Sequence, residues 1–423
     1  MNICLHLPKG IISSSLKITG SKSETNRLLL LQALYAGITI DNASESDDSE
    51  AMQQALAGNG TIVDIHHAGT AMRFLTAYYA IQEGREIILT GSPRMKERPI
   101  GVLVEALRTL GAGIDYVEND GFPPLRIKGK KLSNNKVTVK ASVSSQYITA
   151  LLLIAAKLEN GLEITLDGEI TSMPYLQMTL SLLKEVGIAA VFDGQMIKVS
   201  QATNNQQPTT ITVESDWSSA SYFYSIVALS EAGTSVVLSS YKKNSLQGDS
   251  ALAEIYSALG VTTEFNENSI VLRKQNLKPE TLNLKLNATP DIAQTIAVTC
   301  FGLGIGCHLT GLHTLKIKET DRLEALKTEL GKFGADITVT IDSLTLQPHD
   351  KFKGKSEANS LSFGEGGGEA IAVDTYNDHR MAMAFAPLGM RVPIIINDAE
   401  VVSKSFPTFW GDLQTLGFAV SRL

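Results

Sequence analysis

Along this chain, apolar runs that close on glycine alternate with shorter β-branched stretches. Six runs end at a glycine and pass at once into a strand-like segment: AMQQALAGNG, ALRTLGAGI, LLKEVGIAA, IYSALGVTT, ELGKFGADI and DLQTLGFAV. Their glycines (Gly58, Gly111, Gly187, Gly260, Gly334 and Gly417) stand where a left-handed helix cap is expected. A second, more uniformly apolar run precedes each: NRLLLLQALYAG, MRFLTAYYAIQEG, QYITALLLIAAKLENG, ASYFYSIVALSEAG, QTIAVTCFGLGIG and RMAMAFAPLGM. Between them lie ITI, EIILTG, LEITLDG, TSVVLSS and VPIIIND. The pattern predicts a repeat of helix, strand, helix and one or two strands. Six repeats make two α/β domains of three units each. From Gly111 on, the glycines are 76, 73, 74 and 83 residues apart, but the first interval is only 53. The first unit is therefore expected to lack a strand pair. The longest interval holds HDKFKGKSEANSLSFGEGGGE, read as a mobile loop because its glycines lack the GK[ST] ending of a nucleotide-phosphate loop.

The 423-residue length suits two full cores, and 43% hydrophobic residues with a mean hydropathy of +0.05 describe an ordinary soluble protein. A net charge of −7 argues against nucleic acid and anionic membranes as partners, so any anionic ligand must be held by local cations. The longest apolar runs, such as ITALLLIAAKL, are too short to span a bilayer. MNICLHLPKG enters a strand-like pattern at once, which leaves no room for a signal peptide. Cys4, Cys300 and Cys307 form no metal or disulfide framework and read as core thiols, and a cytoplasmic location is expected.

Polar residues gather before the first helix of each unit, in GSKSETNR, HHAGTAMR, SVSSQ, SDWSSAS, TPDIAQ and TYNDHR. Capping accounts for their Ser, Thr and Asp content, and Ser21 with Glu24 has capping-box spacing. SDWSSAS reads as mostly structural. Capping does not call for Lys22, Arg27, Arg73, His379 or Arg380, and cations oppose the dipole there. Helix N-termini present free N–H groups to anions. If equivalent units aim them alike, they converge on a cleft fit for a small, multiply anionic ligand. Each charge-assisted contact would contribute about 1.5–3 kcal/mol. GSPRMKERPIG adds Arg94, Lys96 and Arg98, and GLHTLKIKETDRLEAL places Lys318, Glu319 and Arg322 at a helix start. Alone, either is equally a solvated charged face; beside the helix starts, both read as parts of a site.

GSKSETNR, AGTAMR, GSPRMKERPIG, SVSSQY, SLQGD, KIKETDRL, TYNDHRMAM and SKSFP, in this order from about residue 18 to 410, resemble the 5-enolpyruvylshikimate-3-phosphate synthase family. The resemblance implies the inside-out α/β barrel of enolpyruvyl transferases: two domains, each of three βαβαββ units with pseudo-threefold symmetry. The chain would cross between domains near 14–18 and near 214, giving an N-terminal domain of 18–214 and a C-terminal domain of 1–17 plus 215–423. The implied reaction moves the enolpyruvyl group of phosphoenolpyruvate onto the 5-hydroxyl of shikimate 3-phosphate. It releases phosphate through a tetrahedral intermediate, in aromatic amino-acid (chorismate) biosynthesis. No metal or organic cofactor is implied, and the expected enzyme is a monomer whose partners are these two small molecules. Glyphosate is the family's inhibitor.

Carried over by matching motif, shikimate 3-phosphate would be held by Lys22, Ser23, Arg27, Ser144, Ser145, Gln146, Ser172, Tyr175, Asp291, Thr314 and Lys318. Phosphoenolpyruvate would be held by Lys22, Gly69, Arg98, Gln146, Glu319, Arg322, His379, Arg380 and Lys404. Asp291 is the implied general base and Glu319 the acid that protonates the methylene carbon, while Lys22 is a candidate for stabilising the intermediate. Blander roles stay open at this point. Asp291 after Pro290 suits a helix cap, Glu319 suits a surface pair with Arg322, and His379 suits a core position. Departures from the family pattern are His67 where asparagine is usual, Thr314 four before Lys318, and Phe74 after AGTAMR. Two other functions also remain open: a UDP-N-acetylglucosamine enolpyruvyl transferase, although RMKERP carries no cysteine, and a non-catalytic binder of an anionic metabolite.

Overall fold

Alternation of β-branched residues builds the same small sheet five times: a parallel pair continued by two antiparallel strands. Ile62–Asp64 pairs parallel with Glu86–Thr90, which continues antiparallel to Leu125–Lys128 and Gly113–Tyr116. The pattern recurs in Lys136–Lys140, Leu162–Asp167, Met196–Val199 and Ala190–Asp193. Ser13–Leu16, Ser235–Ser239, Ser269–Lys274 and Val261–Phe265 repeat it. So do Leu282–Lys285, Cys307–Thr310, Ser343–Leu346 and Ile337–Val339. The last sheet joins Ile371–Val373 and Ile394–Ile396 to Ile3–His6 and Ala419–Arg422. The sixth stops at the parallel pair Thr209–Thr212 and Ile38–Asp41 among the described residues. It is the sheet of the short first interval, and the missing hairpin is the strand pair its length denied it.

The computed structural model describes every residue except 8–9, 142–143, 171, 203–207 and 353–369. The stretch expected to form a mobile loop lies almost wholly outside the described residues. The chain divides into two compact units, Thr19–Ser215 with Ser245–Gly248, and Met1–Ile18 with Asp216–Asn244 and Asp249–Leu423. Boundaries expected at 17/18 and 214/215 thus lie one residue from the observed switches. Ser245–Gly248, expected in the C-terminal domain, belongs instead with the N-terminal unit. Ser245 Oγ donates to the Glu214 carboxylate at 2.5 Å, Gln247 Nε2 donates to the Ser215 carbonyl at 2.9 Å, and Leu246 packs against that unit's core.

Each unit is filled by the first helices of its repeats. Lys22–Leu34, Gly69–Ala80 and Ser145–Ala155 are buried along most of their length in one unit, as are Trp217–Leu229, Ala293–Leu303 and His379–Phe385 in the other. Helices apolar on all sides belong in a core. The second helices lie outside with one buried face, as Gly101–Thr109 does through Leu103, Val104, Ala106 and Leu107. Five of the six predicted glycine caps are left-handed, with φ between 76° at Gly334 and 107° at Gly111. Gly58 differs, being extended at φ −79°. After Gly111, Gly187, Gly260 and Gly334 the chain enters an antiparallel hairpin, and after Gly417 it enters the strand that pairs with Ile3–His6; after Gly58 no such strand follows among the described residues before Ile62–Asp64. All three cysteines are buried, and no described helix is long and apolar enough to cross a membrane.

Candidate active site

In the C-terminal unit, charged side chains from three segments, 290–292, 318–322 and 378–380, meet around Asp291. The 3₁₀ turn Pro290–Ile292 places this carboxylate ahead of the buried helix Ala293–Leu303. Lys318 Nζ lies 3.4 Å from it, an Arg322 guanidinium nitrogen 2.9 Å and an Arg380 nitrogen 3.3 Å. Burial alone would push the Asp291 carboxyl up, but Arg380, Lys318 and Arg322 together outweigh it and hold the group well below the usual carboxylate range. A helix cap does not need three cations, so the capping role for Asp291 falls away.

Arg322 is the hub. Its side chain is 2% exposed, and it donates to Asp378 at 2.7 Å and to Glu319 at 2.8 Å as well as to Asp291. Burial would lower its pKa, but Asp378, Glu319 and Asp291 raise it, so it stays charged. The Glu319 pair is therefore made to a buried partner, not on a solvated face. Asp378 also caps the helix His379–Phe385 by accepting from Arg380 N at 2.9 Å. His379, first in that helix, is buried, and Lys404 donates to the Asn377 carbonyl at 2.6 Å. Thr314 Oγ1 is buried and finds no hydrogen-bond partner among the described residues.

Ser218, Asp249 and Thr289 carry a part of this cluster that motif reading missed. Arg380 donates to Ser218 Oγ at 3.2 Å, and the Ser218 and Thr289 hydroxyls donate to Asp249. Burial raises the Asp249 pKa, against the pull of Arg380 and both hydroxyls. SDWSSAS is structural through Asp216, which accepts from Ser219 N at 2.8 Å, but its Ser218 belongs with the charged groups. The only signal available was SLQGD, which contains Asp249.

In the N-terminal unit the helix Lys22–Leu34 presents Lys22, Ser23 and Arg27. Lys22 pairs with Asp48 at 3.0 Å. Arg27 is fully buried and has no carboxylate in hydrogen-bond reach among the described residues. It donates to Thr179 Oγ1 at 2.9 Å, to the Ser23 carbonyl at 2.6 Å, and to Thr149 and the Tyr175 carbonyl at 3.4 and 3.3 Å. Its guanidinium also lies over the rings of Phe74 and Tyr175, at 5.6 and 5.9 Å. Burial lowers its pKa to about 10, only partly offset by Tyr175 and Glu24. Ser144 caps the helix that carries Ser145 and Gln146, and Gln146 Nε2 donates to Thr70 Oγ1 at 3.3 Å. Ser172, left-handed at φ 58°, starts the helix carrying Tyr175.

Two expectations at these helix starts are corrected. The Ser21 side chain makes no capping bond, because the first turn is tied to the crossover segment at Glu214 instead: Ser21 N donates to the Glu214 carbonyl at 2.8 Å, and Glu24 accepts from Glu214 N. Arg73 spends its donors on the Gly69 and Pro99 carbonyls, at 3.1 and 3.0 Å, as a brace below the site. Among the charged residues of RMKERP, Arg98 is the one that turns inward. Arg94 and Lys96 are partly exposed and pair with Glu97 and Glu118, whereas Arg98 lies against Gly69, where an added Cβ would come within 2.5 Å of its guanidinium. His67 Nδ1 lies 3.1 Å from Ser92 Oγ, the hydroxyl that caps the short helix leading to Arg98.

The model of the family described as EPSP synthase (3-phosphoshikimate 1-carboxyvinyltransferase) matches residues 50–413. The 3-phosphoshikimate 1-carboxyvinyltransferase of Bacteroides fragilis is 44% identical over 412 residues, covering 97% of this chain and 96% of the relative. That of Colwellia psychrerythraea is 37% identical, covering 96% and 97%. Among solved structures, an EPSP synthase from Acinetobacter baumannii shares the fold over the full length of both chains, with a TM-score of 0.77 at 23% identity. With its repeats, its two charged clusters and these relatives, the chain belongs to the EPSP synthase family.

Proposed function

We propose that this chain moves the enolpyruvyl group of phosphoenolpyruvate to the 5-hydroxyl of shikimate 3-phosphate and releases phosphate, within the shikimate pathway. The observation that carries the reading is Asp291, a partly buried carboxylate kept ionised by Lys318, Arg322 and Arg380 with Glu319 beside the same Arg322. In this reading Asp291 accepts the 5-hydroxyl proton as that oxygen bonds to C2 of phosphoenolpyruvate, and Glu319 delivers a proton to the methylene carbon. Reversal of the proton movement at that carbon then expels phosphate from the tetrahedral intermediate, which Lys22 stabilises. Phosphoenolpyruvate is held by Arg322, Arg380, Lys404, His379, Lys22, Arg98, Gln146 and the Gly69 backbone.

Arg27 supports the other half of the reading. A fully buried guanidinium without a carboxylate partner among the described residues is a standing site for an anion or a ring hydroxyl, and shikimate 3-phosphate offers both. Ser23, Ser144, Ser145, Gln146, Ser172 and Tyr175 surround it in role, with Thr314 and Lys318 completing the set. The enzyme works as a cytoplasmic monomer without a cofactor. Phosphate release tests the function directly. It is expected with phosphoenolpyruvate plus shikimate 3-phosphate and not with UDP-N-acetylglucosamine as acceptor; silence with the first pair would overturn the proposal.

A further inference from the structure

Glu329 lies two turns beyond Arg322 on the helix Arg322–Lys332, and its carboxylate is fully buried. One oxygen accepts from the Tyr376 hydroxyl at 2.6 Å, and the other accepts from Asp374 N at 3.0 Å and pairs with Lys332 at 2.7 Å. Lys332 also pairs with Asp374 at 2.8 Å, and Asn397 donates to the second Asp374 oxygen at 2.8 Å. Three groups thus fasten the start of the turn 374–378. Arg322, from the same helix, fastens its end through Asp378 at 2.7 Å.

The backbone between those anchors needs holding. Tyr376 and Asn377 are consecutive left-handed residues, at φ 53° and 55°, and neither is glycine. Side-chain-bearing residues keep such a conformation only where their surroundings impose it, and such places gather at functional sites. This turn aims the Asn377 carbonyl at Lys404 Nζ, 2.6 Å away, and delivers Asp378 to Arg322 and to the N-terminus of the helix carrying Arg380. Lys404, Arg322 and Arg380 are the cations that hold phosphoenolpyruvate in the function proposed above, and the inference rests on that reading.

We infer that Glu329 is a positioning residue for phosphoenolpyruvate: with Tyr376 it locks the left-handed turn that sets Lys404 and Arg380 in place, without touching substrate itself. A role confined to folding would reduce the amount of active protein. A positioning role shifts the KM for phosphoenolpyruvate and leaves that for shikimate 3-phosphate alone. Glu329→Met removes both acceptors. It is expected to raise the KM for phosphoenolpyruvate about tenfold or more, the scale of one lost buried hydrogen bond, with the KM for shikimate 3-phosphate within about twofold. Tyr376→Phe deletes a single hydroxyl with little risk to folding, and is expected to raise the same constant about three- to fivefold. Glu329→Gln, whose amide can still accept from Asp374 N and donate to Tyr376, should stay within about threefold of wild type. A wild type silent with both substrates would overturn the functional reading and this inference with it. An active wild type whose Tyr376→Phe and Glu329→Met variants keep its KM for phosphoenolpyruvate, or raise both KM values alike, would overturn the inference alone.

Discussion

Asp291 is gripped by three cations, and its charged form is favoured by the fold. A carboxylate whose folded pKa is depressed contributes stability above the ordinary aspartate pKa of about 3.9, and loses that contribution as pH falls below it. Asp291→Asn is therefore expected to abolish turnover and to lower the melting temperature at pH 7, with the deficit shrinking as the pH approaches 3. Melting curves of both proteins across that range check it. Because Asp291 is already ionised at every working pH, an acid limb in the kcat/KM profile should belong to another group. Gly69 gives a second prediction at this scale. A methyl group there would press on the Arg98 guanidinium, so Gly69→Ala is expected to raise the KM for phosphoenolpyruvate several-fold, read from initial rates at saturating shikimate 3-phosphate. Both residues were named from the sequence, Asp291 within TPDIAQ and Gly69 within AGTAMR. Asp249 did not, because the hydroxyls that give it meaning, on Ser218 and Thr289, lie 31 and 40 positions away and only folding brings them in.

The helix and the sheet it serves were the most legible features. Apolar residues on every side of NRLLLLQAL and ASYFYSIVAL could only mean burial, and Leu30 and Phe223 are fully buried. What local pattern misjudged was how helices begin. Ser21 and Glu24 have the spacing of a capping box, yet the backbone of Glu214, almost two hundred residues away, claims both, a competition that nothing near Ser21 announces. Asp216 is an ordinary cap by contrast, accepting from Ser219 N at 2.8 Å. Asp216→Ala is expected to destabilise the protein by about 1 kcal/mol in chemical denaturation while leaving both KM values unchanged. The repeat also shows what an element can lose. The first sheet keeps its parallel pair, which backs the helix carrying Lys22 and Arg27, and drops the outer hairpin.

Over the whole molecule, the chain order does not follow the units. Ile3–His6 is an inner strand of a four-stranded sheet whose other members lie beyond residue 370, and Ser13–Leu16 closes another sheet of the same unit. Deleting residues 1–7 is expected to leave Thr19–Ser215 resistant to limited proteolysis and to expose Asp249–Leu423 to cleavage, with mass spectrometry assigning the fragments. The repeat intervals made the count of units readable from sequence; which unit owned the first residues came only with the resemblance, because strand pairing over such separations leaves no local trace.

That arrangement bears on how the protein is made. At a synthesis rate of about 5–20 residues per second, the strand holding Ile3, Cys4 and Leu5 leaves the ribosome roughly 20–80 s before its partners at Ile394–Ile396 and Ala419–Arg422 exist. For that interval a sticky, unpaired edge hangs from a nascent chain whose middle portion is already able to fold. Yield in a cell should therefore respond to translation speed and to chaperone supply more than the stability of the finished enzyme would suggest.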